Sequence, residues 1–191
     1  MQKVRLAILG SGNGTNAQRI AEYFGGSNAV EVACIIYNKR DAYIATRAHN
    51  LGIEARYFGR ADFDQPQAIL DYLNGQHVDW IILAGFLWLV PQAILQAYPS
   101  RVINIHPALL PAHGGRGMYG ERVHQAVIDA GEAESGITIH LVDEHYDRGT
   151  TLFQARCQVS PDDTAETLAQ KVHQLEYRYF PQIIEQTVLK Q

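Results

Sequence analysis

The sequence has few cysteines, no surplus of basic residues and no long apolar run, and each lack excludes a class of protein. The two cysteines among 191 residues, Cys34 and Cys157, lie far apart without C-x-x-C spacing, which indicates free thiols in a reducing compartment. The 16 basic and 20 acidic residues give a formal charge of −4, which argues against a general nucleic-acid-binding protein. A small anionic ligand held by backbone amides remains compatible with this charge.

Signals for a membrane or a metal are missing too. The longest apolar stretch, residues 80–90, is well under the ~18 residues that a membrane span needs. The apolar run near the amino terminus is too short for a signal peptide. The eight histidines form no H-x-x-x-H or Cys/His set, so no metal site is predicted. We expect a soluble cytoplasmic protein with neither a membrane nor a nucleic-acid partner.

Short apolar segments of β character alternate with segments of helical periodicity, which is the pattern of βαβ units and a mostly parallel sheet. No repeat or Pro/Ser-rich linker divides the chain, so we predict a single doubly wound α/β domain over residues 1–191. The predicted strands are Val4–Leu9, Glu31–Tyr37, Glu54–Phe58, Trp80–Leu83, Val102–His106, Gly136–Val142 and Leu152–Val159. The predicted helices are Asn16–Phe24, Ala42–Asn50, Asp64–Asn74, Pro91–Ala97, Glu121–Asp129 and Thr164–Val188.

A glycine-rich loop, Gly10-Ser-Gly-Asn-Gly-Thr-Asn16, follows the first predicted strand and opens a helix. Glycines there let the backbone approach a ligand, and free N–H groups at a helix start favour an anion such as phosphate. A dinucleotide site is disfavoured, because the third glycine of G-x-G-x-x-G is missing and Asn38-Lys39-Arg40 stands where an acidic residue would be needed. A phosphomonoester site and a simple tight turn remain as alternatives.

The segment Asn104-Ile105-His106-Pro107 carries the strongest chemical signal. Residues i and i+2 of a strand point to the same face, so Asn104 and His106 project together at the carboxyl end of their strand. Ligands of open α/β sheets bind at that edge. An amide and a charged imidazole that converge there can stabilise an oxyanion during acyl-type transfer. The alternative is a polar pair that only forms hydrogen bonds with nearby loops.

An acidic segment, Asp143 to Gly149, follows the strand that ends at Val142. If that strand ends beside the Asn-Ile-His strand, one of its carboxylates can pair with His106 and favour the imidazolium. The residues alone do not decide which carboxylate does so. No Ser or Cys lies in a nucleophile elbow, so the acyl group is expected to pass directly between two bound substrates. The loop Ala108 to Gly120, with four glycines, is a further candidate for function by its length.

Together these motifs resemble the phosphoribosylglycinamide formyltransferase family, folate-dependent enzymes of purine biosynthesis and one-carbon metabolism. The resemblance covers essentially the whole chain. The matching motifs, in order, are Ser11-Gly-Asn-Gly-Thr-Asn16, Leu83-Ala-Gly-Phe86, Asn104-Ile-His-Pro-Ala-Leu-Leu-Pro111, Gly136-Ile-Thr-Ile-His140, Asp147-Arg-Gly149, and Glu176 ahead of Pro181. It implies a Rossmann-like formyltransferase fold and transfer of a formyl group from 10-formyltetrahydrofolate to the amine of glycinamide ribonucleotide, through a tetrahedral intermediate.

The resemblance also implies a role for individual residues of the two substrate sites. The amino-terminal part of the chain would bind the ribonucleotide phosphate, and the carboxyl-terminal part would bind folate and carry out the chemistry. The phosphate-binding residues would be Gly14, Thr15 and Asn16, and Glu176 would contact the glycinamide end of the nucleotide. The pteridine pocket would be lined by Leu87, Trp88, Leu89 and Val90 with the backbone of the segment from Asp143 to Asp147.

The resemblance implies three catalytic residues. Asn104 and His106 would polarise the formyl oxygen, with Asn104 also at the folate site, and Asp147 would hold His106 and raise its pKa. The chain departs from the family in its longer loop at residues 112–120, in Trp88 and Pro66 at positions where folate-side arginines are common, and in His173 in place of Gln or Lys.

Three other functions remain as alternatives. A formyltetrahydrofolate hydrolase or a methionyl-tRNA formyltransferase would share the Asn-x-His and Asp residues, but each normally carries an extra domain for which these residues leave no room. A non-catalytic nucleotide-binding module would explain only the glycine loop. The sequence is compatible with a monomer or a homodimer.

Overall fold

The structure is a computed structural model that describes residues 2–190. Seven strands form one sheet in the order β3-β2-β1-β4-β5-β6-β7. The strands are β1 (Val4–Gly10), β2 (Val30–Tyr37), β3 (Glu54–Tyr57), β4 (Trp80–Leu83), β5 (Val102–His106), β6 (Glu134–Leu141) and β7 (Thr151–Gln158). The helices are α1 (Thr15–Phe24), α2 (Ile44–Asn50), α3 (Arg60–Asp64), α4 (Gln67–Gly75), α5 (Gln92–Ala97), α6 (Glu121–Asp129) and α7 (Ala165–Val188).

The strands β1 to β5 are parallel, and β6 and β7 continue the sheet as antiparallel neighbours. Helices connect the parallel strands, because a parallel pair needs a crossover connection. Alternate residues of β1 point to opposite faces: Leu6 and Ile8 belong to one core, and Ala7 and Leu9 to the other. The predicted doubly wound, mostly parallel α/β fold is therefore confirmed.

Two hydrophobic cores cover the two faces of the sheet. Helices α1, α2, α6 and α7 pack on one face and α3, α4 and α5 on the other. The apolar side of α7 lies in the first core, where Leu168 and Val172 are fully buried. No helix in residues 2–190 is long and apolar enough to cross a bilayer.

One predicted helix is wrong. The predicted helix Asp64–Asn74 begins too early: Asp64 is the last residue of α3, a helix that the sequence does not predict, and α4 begins at Gln67, with Gln65 between them at φ −128° and ψ 78°. Pro66 accounts for the break, because its ring disfavours helical geometry in the residue before it. All other predicted helices and strands agree with the structure to within two residues at each end.

Candidate active site

A cleft with a volume of about 370 Å³ opens at the carboxyl ends of β1, β4 and β5, where ligands bind in open α/β sheets. All of the residues that the sequence singles out for the site line this cleft. They are Gly14, Thr15, Asn16, Leu87, Trp88, Leu89, Val90, Asn104, His106, Asp147 and Glu176. The fold thus brings together side chains from the two ends of the chain.

The segment after β6 brings Asp147 to His106. Strand β6 pairs with β5, but the two are antiparallel and the last residue of β6, Leu141, pairs with Ile103, so the end of β6 lies beside the start of β5 rather than beside His106. The segment after β6 turns back, and Asp147 Oδ2 comes within 3.5 Å of His106 Nδ1. A Cβ at Gly149 would lie 1.7 Å from the Leu141 carbonyl oxygen, so this return requires glycine.

Two opposing effects set the protonation of His106. Burial lowers its pKa, and this outweighs the nearby carboxylate of Asp147 and the hydrogen bond to the loop, both of which raise the pKa. Asp147 thus raises the pKa of His106, as the resemblance implies, but burial lowers that pKa by more. Burial also raises the pKa of Asp147, but His140, His106 and the Gly115 N–H together lower it below its usual value.

The loop between β5 and α6 contacts His106 and Asp147 through its backbone. His106 Nε2 donates a hydrogen bond to the His113 carbonyl at 2.8 Å, and the Gly115 N–H donates to Asp147 Oδ2 at 2.9 Å. His106 thus faces an acceptor at each ring nitrogen, and only the protonated ring can donate to both. The longer loop at residues 112–120 therefore forms part of the cleft wall and holds both His106 and Asp147.

His140 lines the cleft and ends the motif Gly136-Ile-Thr-Ile-His140, from which no individual role was predicted for it. Its Nδ1 donates to the Leu141 carbonyl at 2.9 Å, which leaves Nε2 to accept from Asn104 Nδ2 at 3.0 Å. His140 therefore orients the Asn104 amide, and its Nε2 also lies 3.7 Å from Asp147 Oδ1. Asn104 and His140 are paired across β5 and β6, so the role of His140 could be predicted only with knowledge of the register of these two strands.

The glycine loop lies at the start of α1 and is shaped partly by packing. Gly14 has φ 78°, and no side chain caps the helix, so the first N–H groups remain free for a ligand. A Cβ at Gly14 would lie 2.6 Å from Ile44 Cγ1. This packing agrees with the tight-turn interpretation, and the free N–H groups are compatible with an anion site. The Ser11 hydroxyl joins it to the next wall of the cleft by accepting a hydrogen bond from Leu87 N at 2.9 Å.

A polar end of the cleft lies between α1, α6 and α7. Asn16 Nδ2 donates to Glu176 Oε2 at 2.9 Å, and burial raises the pKa of Glu176 to about 7. His173 and His124 line the same part of the cleft, and burial lowers the pKa of each, that of His124 to about 4. His124 was not predicted as a site residue, because an isolated histidine on a helix has no distinctive pattern.

The other end of the cleft is apolar and aromatic. The Phe63 ring lies 5.2 Å from the Phe86 ring and 5.3 Å from the Trp88 ring, and Leu89 is exposed. Val90 is mostly buried in the core beneath them. Among residues 2–190 no group of three or more His, Cys, Asp or Glu side chains is placed to hold a metal ion.

A family model described as formyl transferase matches residues 4–184. The chain belongs to the formyl transferase family. The cleft, which Asn104 and His106 of β5 line, is therefore the candidate active site of a member of this family.

Individual relatives agree with this family. The chain is 40% identical to phosphoribosylglycinamide formyltransferase, chloroplastic, of Arabidopsis thaliana over 96% of its own length, and spans 65% of that protein. It is 36% identical to phosphoribosylglycinamide formyltransferase of Haemophilus influenzae, with 94% of this chain and 85% of that protein covered. The crystal structure of phosphoribosylglycinamide formyltransferase from Streptococcus pneumoniae is similar with a TM-score of 0.86, 33% identity, and 98% and 99% of the two chains covered.

Proposed function

We propose that the chain is a phosphoribosylglycinamide formyltransferase, which transfers the formyl group of 10-formyltetrahydrofolate to the amine of glycinamide ribonucleotide in purine biosynthesis. The observation that carries this proposal is the convergence of Asn104, His106 and Asp147 on one cleft between a polar, glycine-rich end and an apolar end. The names of the relatives point to the same reaction.

The chemistry at the centre of the cleft is direct transfer. The amine nitrogen of the ribonucleotide forms a bond to the formyl carbon, and the carbonyl oxygen becomes an oxyanion. The Asn104 amide donates a hydrogen bond to that oxyanion, which contributes roughly 3–4 kcal/mol. The positive charge of the protonated His106, whose ring nitrogens face the His113 carbonyl and Asp147, stabilises the oxyanion electrostatically. The bond from the formyl carbon to the folate nitrogen then breaks, and that nitrogen takes up the proton that the amine loses. Asp147 raises the pKa of His106 against the effect of burial and orients its ring.

The polar end is proposed as the ribonucleotide site. The free N–H groups of Gly14, Thr15 and Asn16 would bind the phosphate at the start of α1. Glu176, held by Asn16, would accept a hydrogen bond from the glycinamide amine. A carboxyl group with a pKa of about 7 can also take a proton from the substrate ammonium near neutral pH.

The apolar end is proposed as the site of 10-formyltetrahydrofolate. Leu87, Trp88, Leu89 and Val90 line it, and the segment that carries His145, Tyr146 and Asp147 closes the opposite wall. A flat pteridine ring buries well against such a surface, because pockets for small molecules are mostly apolar with a few polar groups. One domain would thus hold the phosphate with its amino-terminal part and folate with its carboxyl-terminal part. A cytoplasmic location and a monomeric or homodimeric state remain predictions.

The test mixes the purified protein with 10-formyltetrahydrofolate, with and without glycinamide ribonucleotide, and follows deformylated folate by absorbance. We expect release only when both substrates are present. Release at the same rate without the ribonucleotide would indicate a hydrolase instead. No release under either condition would indicate a non-catalytic nucleotide-binding module.

A further inference from the structure

The polar end of the cleft lacks formal positive charge. A phosphomonoester carries about −1.5 to −2 charges at neutral pH, yet none of the side chains from residues 2–190 that line the cleft is a lysine or an arginine. Arg47 on α2 is not among the residues that line the cleft, but its guanidinium contacts the glycine loop. Its contacts show what it does there.

Arg47 forms several hydrogen bonds with one residue of the glycine loop. Its Nε donates to the Asn13 carbonyl at 2.8 Å and to Asn13 Oδ1 at 3.1 Å. One terminal nitrogen donates to Asn13 Oδ1 at 2.6 Å, and the other donates to Gln18 on α1. The guanidinium thus joins α2, the glycine loop and α1.

These contacts determine which atoms of Asn13 can meet an anion. A guanidinium only donates hydrogen bonds, so it must face the side-chain oxygen of Asn13 rather than its nitrogen. Both acceptor oxygens of Asn13 are therefore turned toward Arg47. Its two donors, the backbone N–H and Nδ2, are the groups left for a phosphate.

We propose that Arg47 is a positioning residue for the ribonucleotide phosphate, which orients Asn13 as a pure donor and supplies positive charge behind the glycine loop. This inference rests on the proposed function, since that function places a phosphate at the loop. The rest of α2 supports the same geometry: the Ile44 N–H donates to the Gly12 carbonyl at 3.1 Å, and Arg47 lies over the Tyr43 ring at 5.1 Å.

The first test compares steady-state kinetics of the wild type, Arg47→Met, Arg47→Lys and the control Arg40→Met. Arg40 lies at the approach to α2 and stacks on Tyr57 at 4.4 Å, so its replacement removes equal charge without touching Asn13. We expect Arg47→Met to raise the KM for the ribonucleotide about 10- to 100-fold, as loss of charge-assisted hydrogen bonds does. The kcat and the KM for folate should change less than about threefold. The KM of Arg47→Lys for the ribonucleotide should lie between those of the wild type and Arg47→Met. An unchanged ribonucleotide KM in Arg47→Met would overturn the inference.

A second test needs no formyl transfer and therefore separates this inference from the proposed function. Calorimetry measures binding of ribose 5-phosphate to the wild type, Arg47→Met and Asn13→Asp. Asn13→Asp keeps acceptors for Arg47 but replaces the amide donor by a negative charge, so we expect it to weaken binding at least as much as Arg47→Met does. Equal affinity in all three proteins, or no binding by the wild type, would contradict the role of Arg47. If the wild type transfers no formyl group, the proposed function fails, and these affinities still decide the role of Arg47.

Discussion

Replacement of Asp147 by Asn tests the electrostatic part of the mechanism with little change in shape. The Asn side chain can still accept the hydrogen bond from the Gly115 N–H, but the negative charge 3.5 Å from His106 Nδ1 is lost. At an effective dielectric constant of ~20, that charge interacts with an imidazolium by about 5 kcal/mol. An opposite charge at this range typically shifts a pKa by about 1–3 units.

The sign of the effect follows from the protonation that the reaction needs. In the proposed reaction His106 acts as an imidazolium, so activity should fall as pH rises through its pKa, which burial already lowers. Removal of the Asp147 charge lowers that pKa further. The alkaline decline of kcat in Asp147→Asn should therefore move to lower pH by at least about one unit, with turnover at pH 7.5 reduced about 10- to 1000-fold.

The assay is a kcat–pH profile of the wild type and Asp147→Asn at saturating substrates, with thermal denaturation as a check on folding. His106→Ala serves as the reference for complete loss of the imidazolium. A partial recovery of the Asp147→Asn rate at acid pH would support the reasoning. An alkaline decline at the same pH in both proteins would refute it.

Three further predictions concern other parts of the cleft. The pKa of His124 is lowered to about 4, against about 6.5 in the unfolded chain, so below pH 6.5 the unfolded state binds the proton first. The free energy of unfolding should therefore fall by up to about 3 kcal/mol as the pH drops to 4. In denaturant titrations, the stability of His124→Gln should depend less on pH. Gly14→Ala should lower the melting temperature because of its contact with Ile44, whereas Gly12→Ala, whose Cβ meets open space, should keep it; equal melting temperatures would contradict the packing argument. Glu176→Gln should raise the KM for the ribonucleotide, and its stability at pH 8 should be equal to or higher than that of the wild type, because a buried charge is removed. Steady-state kinetics and chemical denaturation measure the two effects, and a large loss of stability would contradict the argument from the buried charge.

Strand β5 and its polar pair can be predicted from the sequence because the features that define them lie within a few residues of one another. An apolar run that ends at Pro107 defines the strand, and the period of two places Asn104 and His106 on one face. The break at Pro66 was predictable by the same kind of reasoning, since the restriction that proline imposes on the residue before it is also local.

The position of Asp147 depends on tertiary structure. Alternation of apolar residues does not encode whether β6 runs parallel or antiparallel to β5, so the return of the chain to His106 cannot be derived from it. The two hydrogen bonds from the loop come from the backbone of His113 and Gly115, and backbone groups leave no mark on residue type. The role of His140 needs the register of β5 and β6.

The central claim is that the formyl group passes from folate to the ribonucleotide at Asn104 and His106. Its most direct test uses 10-formyltetrahydrofolate labelled at the formyl carbon and measures how much label reaches glycinamide ribonucleotide per molecule of folate released. We predict one label transferred per folate in the wild type, and a rate reduced by at least about 100-fold in Asn104→Ala and His106→Ala. Label released as free formate, or transfer at the wild-type rate in either variant, would contradict the account.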